Sequence, residues 1–212
     1  MADLNKLFDS IVAGRLEPAI EVTHQIIEEK LDIPSVINNY MIKAMEEIGD
    51  RFQNHKAYVP ELLMAARAMK GSLELLKPHM KGEKIQSAGK IVIGTVFGDL
   101  HDIGKNLVAS MFEGCGFEVI NLGVNIPNSR FVEIVKQEKP DILCLSALLT
   151  TTMVNMKEVI NSLKTAGLRN QVKVMVGGAP VNETFAREIG ADGYSSNANA
   201  AVIKAKELLA IA

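Results

Sequence analysis

Residues 90–106 read KIVIGTVFGDLHDIGKN: an apolar run at 90–96, then the polar, glycine-bounded stretch GDLHDIGKN at 98–106. Hydrophobic residues without polar alternation suit a strand covered on both faces, the setting that parallel sheets flanked by helices provide. The same kind of run returns downstream as ILCLSAL and VKVMV, with FEVINLG and the short GYSS as further strand candidates. Helical segments separate them: one reaching Cys115, then SRFVEIVKQEK, MVNMKEVINSLKTAG, ETFAREIG and AAVIKAKELLA. This alternation predicts an α/β domain over 88–212, with a five-stranded, mostly parallel, doubly wound sheet.

Upstream the period changes. LNKLFDSIVAG, LEPAIEVTHQIIEEKL, IPSVINNYMIKAMEEIGDRF and VPELLMAARAMKGSLELLKPHM carry apolar residues three and four apart, as in Ile37, Met41, Ile42, Met45 and Ile48. Breaks fall at Gly14, at Asp32-Ile-Pro34 and at Val59-Pro60. Residues 1–87 therefore predict a four-helix bundle, and the polar stretch KGEKIQSAG at 81–89 a linker. Six of the ten methionines lie in this half, where they fill gaps in a small core or offer an adaptable surface.

Composition removes several classes. Over 1–87 there are 11 basic and 13 acidic residues, and over 88–212 there are 12 of each, so neither half offers a basic footprint for nucleic acid. No uninterrupted apolar run approaches the ~18 residues of a membrane span, and MADLNKLFDS is no leader peptide, so a cytoplasmic location is expected. Cys115 and Cys144 lack the spacing of a zinc site and read as packing residues. His24 and His79 have no metal-type partner on their helices, and His55 reads as a turn residue.

In doubly wound sheets ligands bind beyond the carboxyl ends of the strands, which makes GDLHDIG the loop to explain. It is not a phosphate-binding loop: five residues separate Gly98 from Gly104 where that motif has four, and Asn106 follows Lys105 in place of Ser or Thr. A phosphoacceptor receiver would need an aspartate near the end of the third strand, where Ser146 stands. A Ser146–His101–Asp99 hydrolase triad lacks the glycines of a nucleophile elbow. Asp99 and His101 do share a loop, so the carboxylate can orient the ring and fix its tautomer, as it does for a histidine whose other nitrogen faces a metal. Without companion ligands, that metal would arrive inside an organic cofactor. On these grounds alone, His101 as a cap of the next helix stays equally open.

Asp99-x-His101-x-x-Gly104, then Ser146-x-Leu148 and Gly177-Gly178, resembles the signature of cobalamin-binding domains of the methionine synthase type. The form GDLHDIGKN, with a preceding bundle containing YVPELLMAARAM, resembles the small corrinoid proteins of methanol and methylamine methyltransferase systems, over essentially the whole chain. The resemblance implies a flavodoxin-like or Rossmann-like domain holding a cobamide whose lower base is detached, with His101 as axial ligand of cobalt. Asp99 would bond the other imidazole nitrogen and Ser146 would bond Asp99, a proton relay responding to cobalt's change of ligation. Gly98, Leu100, Asp102, Ile103 and Gly104 would complete the loop facing the cofactor, with Asp102 also opening the next helix. Leu148, Thr150, Gly177, Gly178 and the main chain around Ala198 would meet the corrin or its nucleotide tail. Phe52, Tyr58 and Val59 would present the bundle's apolar cap to the upper cobalt face, and Asn38 stands where methionine synthase has a glutamate.

The implied function is a methyl carrier. A substrate-specific methyltransferase loads Co(I), a second methyltransferase takes the methyl group to its acceptor, and a reductive activator is a further partner. With cap and cobamide domains occupying 212 residues, a shuttle is expected rather than a complete methionine synthase. The rival class is the cobalamin-binding subunit of an adenosylcobalamin-dependent mutase, which the bundle disfavours. A cobalamin-sensing regulator would need a basic DNA-reading element that the acidic first half lacks.

Overall fold

Lys90–Thr95 forms strand β1, buried from Ile91 onward, and it has a parallel neighbour on each side. A computed structural model describes residues 2–79 and 87–211; residues 81–86 of the expected linker lie outside the described residues. Two units divide the chain, Met1–Ser87 with Glu113–Gly116, and Ala88–Phe112 with Phe117–Ala212. The last turn of the first helix of the α/β half thus groups with the helical unit.

In the helical unit α1 (Leu4–Val12), α2 (Leu16–Glu28), α3 (Ile33–Val36), α4 (Ile42–Gln53) and α5 (Val59–Leu76) follow one another. A π-helical segment, Ile37–Met41, joins α3 to α4 without leaving helical dihedrals, so four rods result, as expected. Asp3 caps α1 by accepting from the Lys6 N–H at 3.0 Å, and Pro34 sits in the first turn of α3, where its missing N–H costs nothing. Gly14 turns the chain at φ +65°, and a Cβ there would lie 2.4 Å from Met64 Cβ. Leu7, Ile11, Ile26, Ile37, Leu62 and Leu76 fill the interior. Met41, Met45 and Met69 are also buried, so these three are core; Met64 is exposed.

The second unit carries β1, β2 (Glu118–Asn121), β3 (Ile142–Ser146), β4 (Lys173–Gly177) and β5 (Gly193–Ser195), all parallel, in the order β2-β1-β3-β4-β5. Its helices are α6 (Ile103–Gly114), α7 (Asn128–Glu138), α8 (Thr150–Thr165), α9 (Glu183–Ile189) and α10 (Ala198–Leu209). Val92, Leu143, Leu145, Val174 and Val176 of the inner strands pack with Phe131, Met156 and Ile160 of α7 and α8. Gly94 in β1 makes room for Phe131, whose Cε1 would come within 2.8 Å of a Cβ. One boundary differs from expectation. Helix α8 begins at Thr150, ahead of the apolar MVNM, because Leu149 O accepts from the N–H groups of Thr152 and Met153 and winds the threonine run into a first turn.

The strand order reverses between β1 and β3, because the chain leaves β1 toward one edge of the sheet and leaves β3 toward the other. A crevice opens at such a switch point. The loops bordering it are 96–102, after β1, and 147–149, after β3.

Candidate functional site

Gly98 follows β1's end at φ +80°, and three residues later the loop presents His101 beyond the carboxyl end of the strand. Asp99 beneath it is fully buried, while the His101 side chain is 50% exposed. Asp99 Oδ1 accepts from the His101 main-chain N–H at 3.0 Å and lies 2.7 Å from His101 Nδ1. Asp99 Oδ2 accepts from Thr152 Oγ1 at 2.6 Å, from Leu148 N–H at 2.8 Å and from Leu149 N–H at 3.4 Å. Burial pushes the carboxyl up, but bonds from the Thr152 hydroxyl, the Leu148 and His101 N–H groups and the His101 ring outweigh it and hold the group well below the usual carboxylate range. A carboxylate held toward its ionised form therefore stands behind a half-exposed imidazole.

Where a relay through Ser146 is expected from the sequence, the hydroxyl that bonds Asp99 in the structure is that of Thr152. Ser146 is the last residue of β3, in register with Thr95 and Gly177, and its carbonyl accepts from the Val96 N–H at 3.0 Å. Thr152, a turn into α8, is carried back over the β1 loop. Leu148 serves Asp99 through its main chain and leaves its side chain exposed.

Further groups fix the loop. Thr95 Oγ1 donates to the His101 carbonyl at 2.9 Å, and Asn155 Nδ2 donates to the Phe97 carbonyl at 2.8 Å. Asn125 accepts from the Gly98 N–H at 2.8 Å and donates its own N–H to the Asp99 carbonyl at 2.9 Å. Asp102 precedes α6, opens it by accepting the Asn106 main-chain N–H on its carbonyl at 2.7 Å, and takes Asn106 Nδ2 on its carboxylate at 2.9 Å. Behind it Lys105 is buried and donates to Asn106 Oδ1 at 2.5 Å and Asn121 Oδ1 at 2.7 Å. Burial pushes its ammonium down, with the charge of Asp102 opposing.

Around His101 the surface is apolar: Phe97, Leu100, Leu148, Leu149 and Val154 are exposed, and Ile103 is 83% exposed. Side chains of this type normally sit inside, so a contiguous exposed group around one imidazole marks a ligand surface. Gly104 supports the same reading, because a Cβ there would meet nothing within 4 Å and its bareness answers no need of the protein's own packing. Gly178 has a different explanation, since at φ +126° a Cβ would stand 1.8 Å from Ala147 O. At Gly177 it would lie 3.3 Å from Ser195 O. Thr150 is the exposed first residue of α8, and Ala198 is buried at the start of α10, capped by Asn197. In the helical unit Tyr58 is 71% exposed, Val59 is exposed, Phe52 is half-buried and Asn38 lies exposed in the π-helical segment. His24, His55 and His79 are exposed, His55 in a turn at φ +57°.

Among the described residues no group of three or more His, Cys, Asp or Glu is placed to hold a metal ion. His101 Nδ1 is engaged by Asp99, which leaves Nε2 as the outward donor. Asp99, Thr152, the apolar rim and the open space at Gly104 fit a flat, largely apolar cofactor that brings its own metal and most of its ligands. The fold and site thus define an α/β domain with one half-exposed imidazole, backed by a buried carboxylate, at the switch point of its sheet.

Comparison with known proteins gives that cofactor its chemistry. Models described as B12 binding domains match residues 89–203 and 3–77. The trimethylamine corrinoid protein of Methanosarcina barkeri is 44% identical over 195 residues, covering 91% of this chain and 90% of that protein. Among solved structures, a cobalamin-binding protein from Desulfitobacterium hafniense DCB-2 is similar at TM-score 0.83 and 33% identity, covering 98% of this chain and 99% of that one. The methanol:cobalamin methyltransferase complex from Methanosarcina barkeri contains a chain similar at TM-score 0.86 and 28% identity, covering 98% of this chain and 79% of that one. The chain belongs to the B12-binding family of corrinoid proteins.

Proposed function

We propose that the protein is the methyl carrier of a corrinoid-dependent methyltransferase system, and that His101 is its axial cobalt ligand. The observation that carries the reading is the 2.7 Å pair of a fully buried Asp99 and a half-exposed His101, set in an apolar rim at the switch point of the sheet. When bound, a base-off cobamide supplies the nucleophilic cobalt on which the methyl group is carried. The chain's own residues do the rest. Asp99 orients the imidazole and keeps its Nδ1 proton engaged, so that Nε2 faces outward as an electron-rich donor. Thr152 holds Asp99 and completes a hydrogen-bonded path, in the place assigned to Ser146 from sequence. Leu100, Ile103 and Leu148 offer apolar contact, and Gly104 leaves a passage for the nucleotide tail.

By the same proposal Tyr58, Val59 and Phe52 are apolar contacts for the cofactor. The partners are a substrate-specific methyltransferase that loads the carrier, an acceptor methyltransferase that unloads it, and a reductive activator. Similarity to a trimethylamine corrinoid protein and to a chain of a methanol methyltransferase complex supports this division of labour. No helix among the described residues is long and apolar enough to cross a membrane. We place the protein in the cytoplasm, a location that suits two buried cysteines without a disulfide.

The test is reconstitution with cobalamin, reduction, and methylation from methanol, methylamines, betaines and aryl methyl ethers with each candidate methyltransferase. Transfer from one donor class is expected in wild type, and loss of the histidine-ligated spectrum in His101→Ala. An unchanged spectrum in that variant overturns the axial assignment. Uptake of the adenosyl form alone, with turnover in a carbon-skeleton rearrangement, overturns the carrier reading in favour of a mutase subunit.

A further inference from the structure

Gly98, at φ +80°, is the one residue between β1 and Asp99 whose backbone is free to pivot, and everything that carries His101 hangs from it. Of the side-chain bonds on this loop other than that of Asn125, Asn155 holds the Phe97 carbonyl ahead of the pivot and the rest act beyond it. Thr152 and Leu148 hold the Asp99 carboxylate, and Thr95 holds the His101 carbonyl. A turn bond from the Asp99 N–H to the Val96 carbonyl at 3.2 Å crosses the pivot, and Asn125 clamps main chain on both sides of the Gly98–Asp99 peptide bond, with Oδ1 on the Gly98 N–H at 2.8 Å and its own N–H on the Asp99 carbonyl at 2.9 Å.

We infer that Asn125 is a positioning residue for the axial histidine: a splint across the Gly98 pivot that sets how far the imidazole stands out from the sheet edge. The inference rests on the reading of His101 as cobalt ligand. Two properties are needed at position 125, and asparagine has both. Its backbone lies at φ +55°, a left-handed conformation that asparagine tolerates better than most residues. Its short amide also places an acceptor one residue's reach from its own N–H, which lets one residue close both bonds. The side chain comes from the loop between β2 and α7, so the splint ties the histidine loop to the far side of β1 while Thr152 ties it to the β3 side. A metal–nitrogen bond is directional, so a loop free to swing a fraction of an ångström populates unligated geometries.

The substitutions Asn125→Gly and Asn125→Asp separate the requirements. Glycine keeps the positive φ and removes the acceptor; aspartate keeps both. Each variant and wild type are loaded with cobalamin, with the cobalt site carrying ¹⁵N-labelled histidine. The ratio of histidine-ligated to unligated cofactor is read from the absorption spectrum and the nitrogen hyperfine splitting in the Co(II) state, with urea unfolding as the measure of fold. Asn125→Gly is expected to lower that ratio about three- to tenfold, the worth of the one side-chain hydrogen bond lost, since the main-chain N–H of residue 125 is kept. Asn125→Asp is expected to return it to within about twofold of wild type, following the retained acceptor. A wild-type ratio in Asn125→Gly, or a ratio in Asn125→Asp as low as in glycine, overturns the inference. Absence of histidine ligation in wild type itself overturns the underlying site reading, an outcome visible before any variant is made.

Discussion

Thr152 Oγ1 donates to Asp99 Oδ2 at 2.6 Å across 53 residues of chain, and Asp99 Oδ1 in turn holds His101 Nδ1 at 2.7 Å. The three side chains form one hydrogen-bonded line running from the first turn of α8 to the outward-facing imidazole. Replacing Thr152 by valine removes a buried hydroxyl from a buried carboxylate and is expected to lower unfolding free energy by roughly 1.5–3 kcal/mol. Ser146→Ala is expected to change it by less than about 0.5 kcal/mol. Urea denaturation of both variants, and the His101 ligation spectrum of the loaded proteins, decides between the two hydroxyls.

Asp99 gives the site a pH signature. Its folded-state value is depressed below the ordinary 3.8, so the stability it contributes is fully present above that value and is lost as pH falls toward the folded-state value. Asp99→Asn keeps the shape but not the charge. Wild type should therefore lead Asp99→Asn in stability at neutral pH and lose that lead progressively below about pH 4. Chemical denaturation of the two proteins at neutral pH and at successively lower values measures this, and a constant difference across the range contradicts it.

Gly104 and Gly178 predict opposite outcomes for the same substitution. Gly104→Ala adds a methyl group to open space in the first turn of α6 and should leave the bare protein as stable or up to about 1 kcal/mol more stable, while weakening cobalamin uptake. Gly178→Ala drives a methyl group into the Ala147 carbonyl at a positive φ and should abolish folding or cost more than about 3 kcal/mol. Thermal melts and cofactor titration of the two variants separate a glycine kept for a ligand from one kept for the backbone.

Lys105 is a buried cation whose folded-state value is lowered from 10.5 by burial. Such a base is disfavoured while protonated, so its contribution improves as pH rises from the folded-state value toward 10.5. Lys105→Met should lose roughly 1–2 kcal/mol at about pH 7 through the two lost bonds to Asn106 and Asn121, whose amide oxygens keep the Asn121 Nδ2 and Gly123 N–H donors. The gap to wild type should widen as pH rises to about 10, which denaturation at the two values measures.

Much of this was legible in the sequence because it is local. KIVIGTV is apolar without alternation, and Asp99 and His101 sit two residues apart, so strand, loop and pair can be read from one short window. Thr152 escaped because its partner lies in a different loop and because three consecutive threonines carry no helical period, which placed the start of α8 too late. Asn125 escaped for a related reason: a positive φ at a non-glycine residue is imposed by what the neighbouring loop needs, and no residue pattern announces it. Gly178 drew attention as a candidate cofactor contact when its bareness is required by the approach of Ala147, a constraint visible only once β3 and β4 are paired.

The span between Asp99 and the groups that aim it also bears on biosynthesis. Leu148 and Thr152 follow His101 in synthesis by about fifty residues, and until they are in place Asp99 lacks the bonds to its Oδ2. The imidazole is aimed only after β3 has joined β1 and α8 has wound its first turn. On the proposed role of His101, a chain truncated before Leu148 would carry the histidine without the bonds that hold Asp99 behind it.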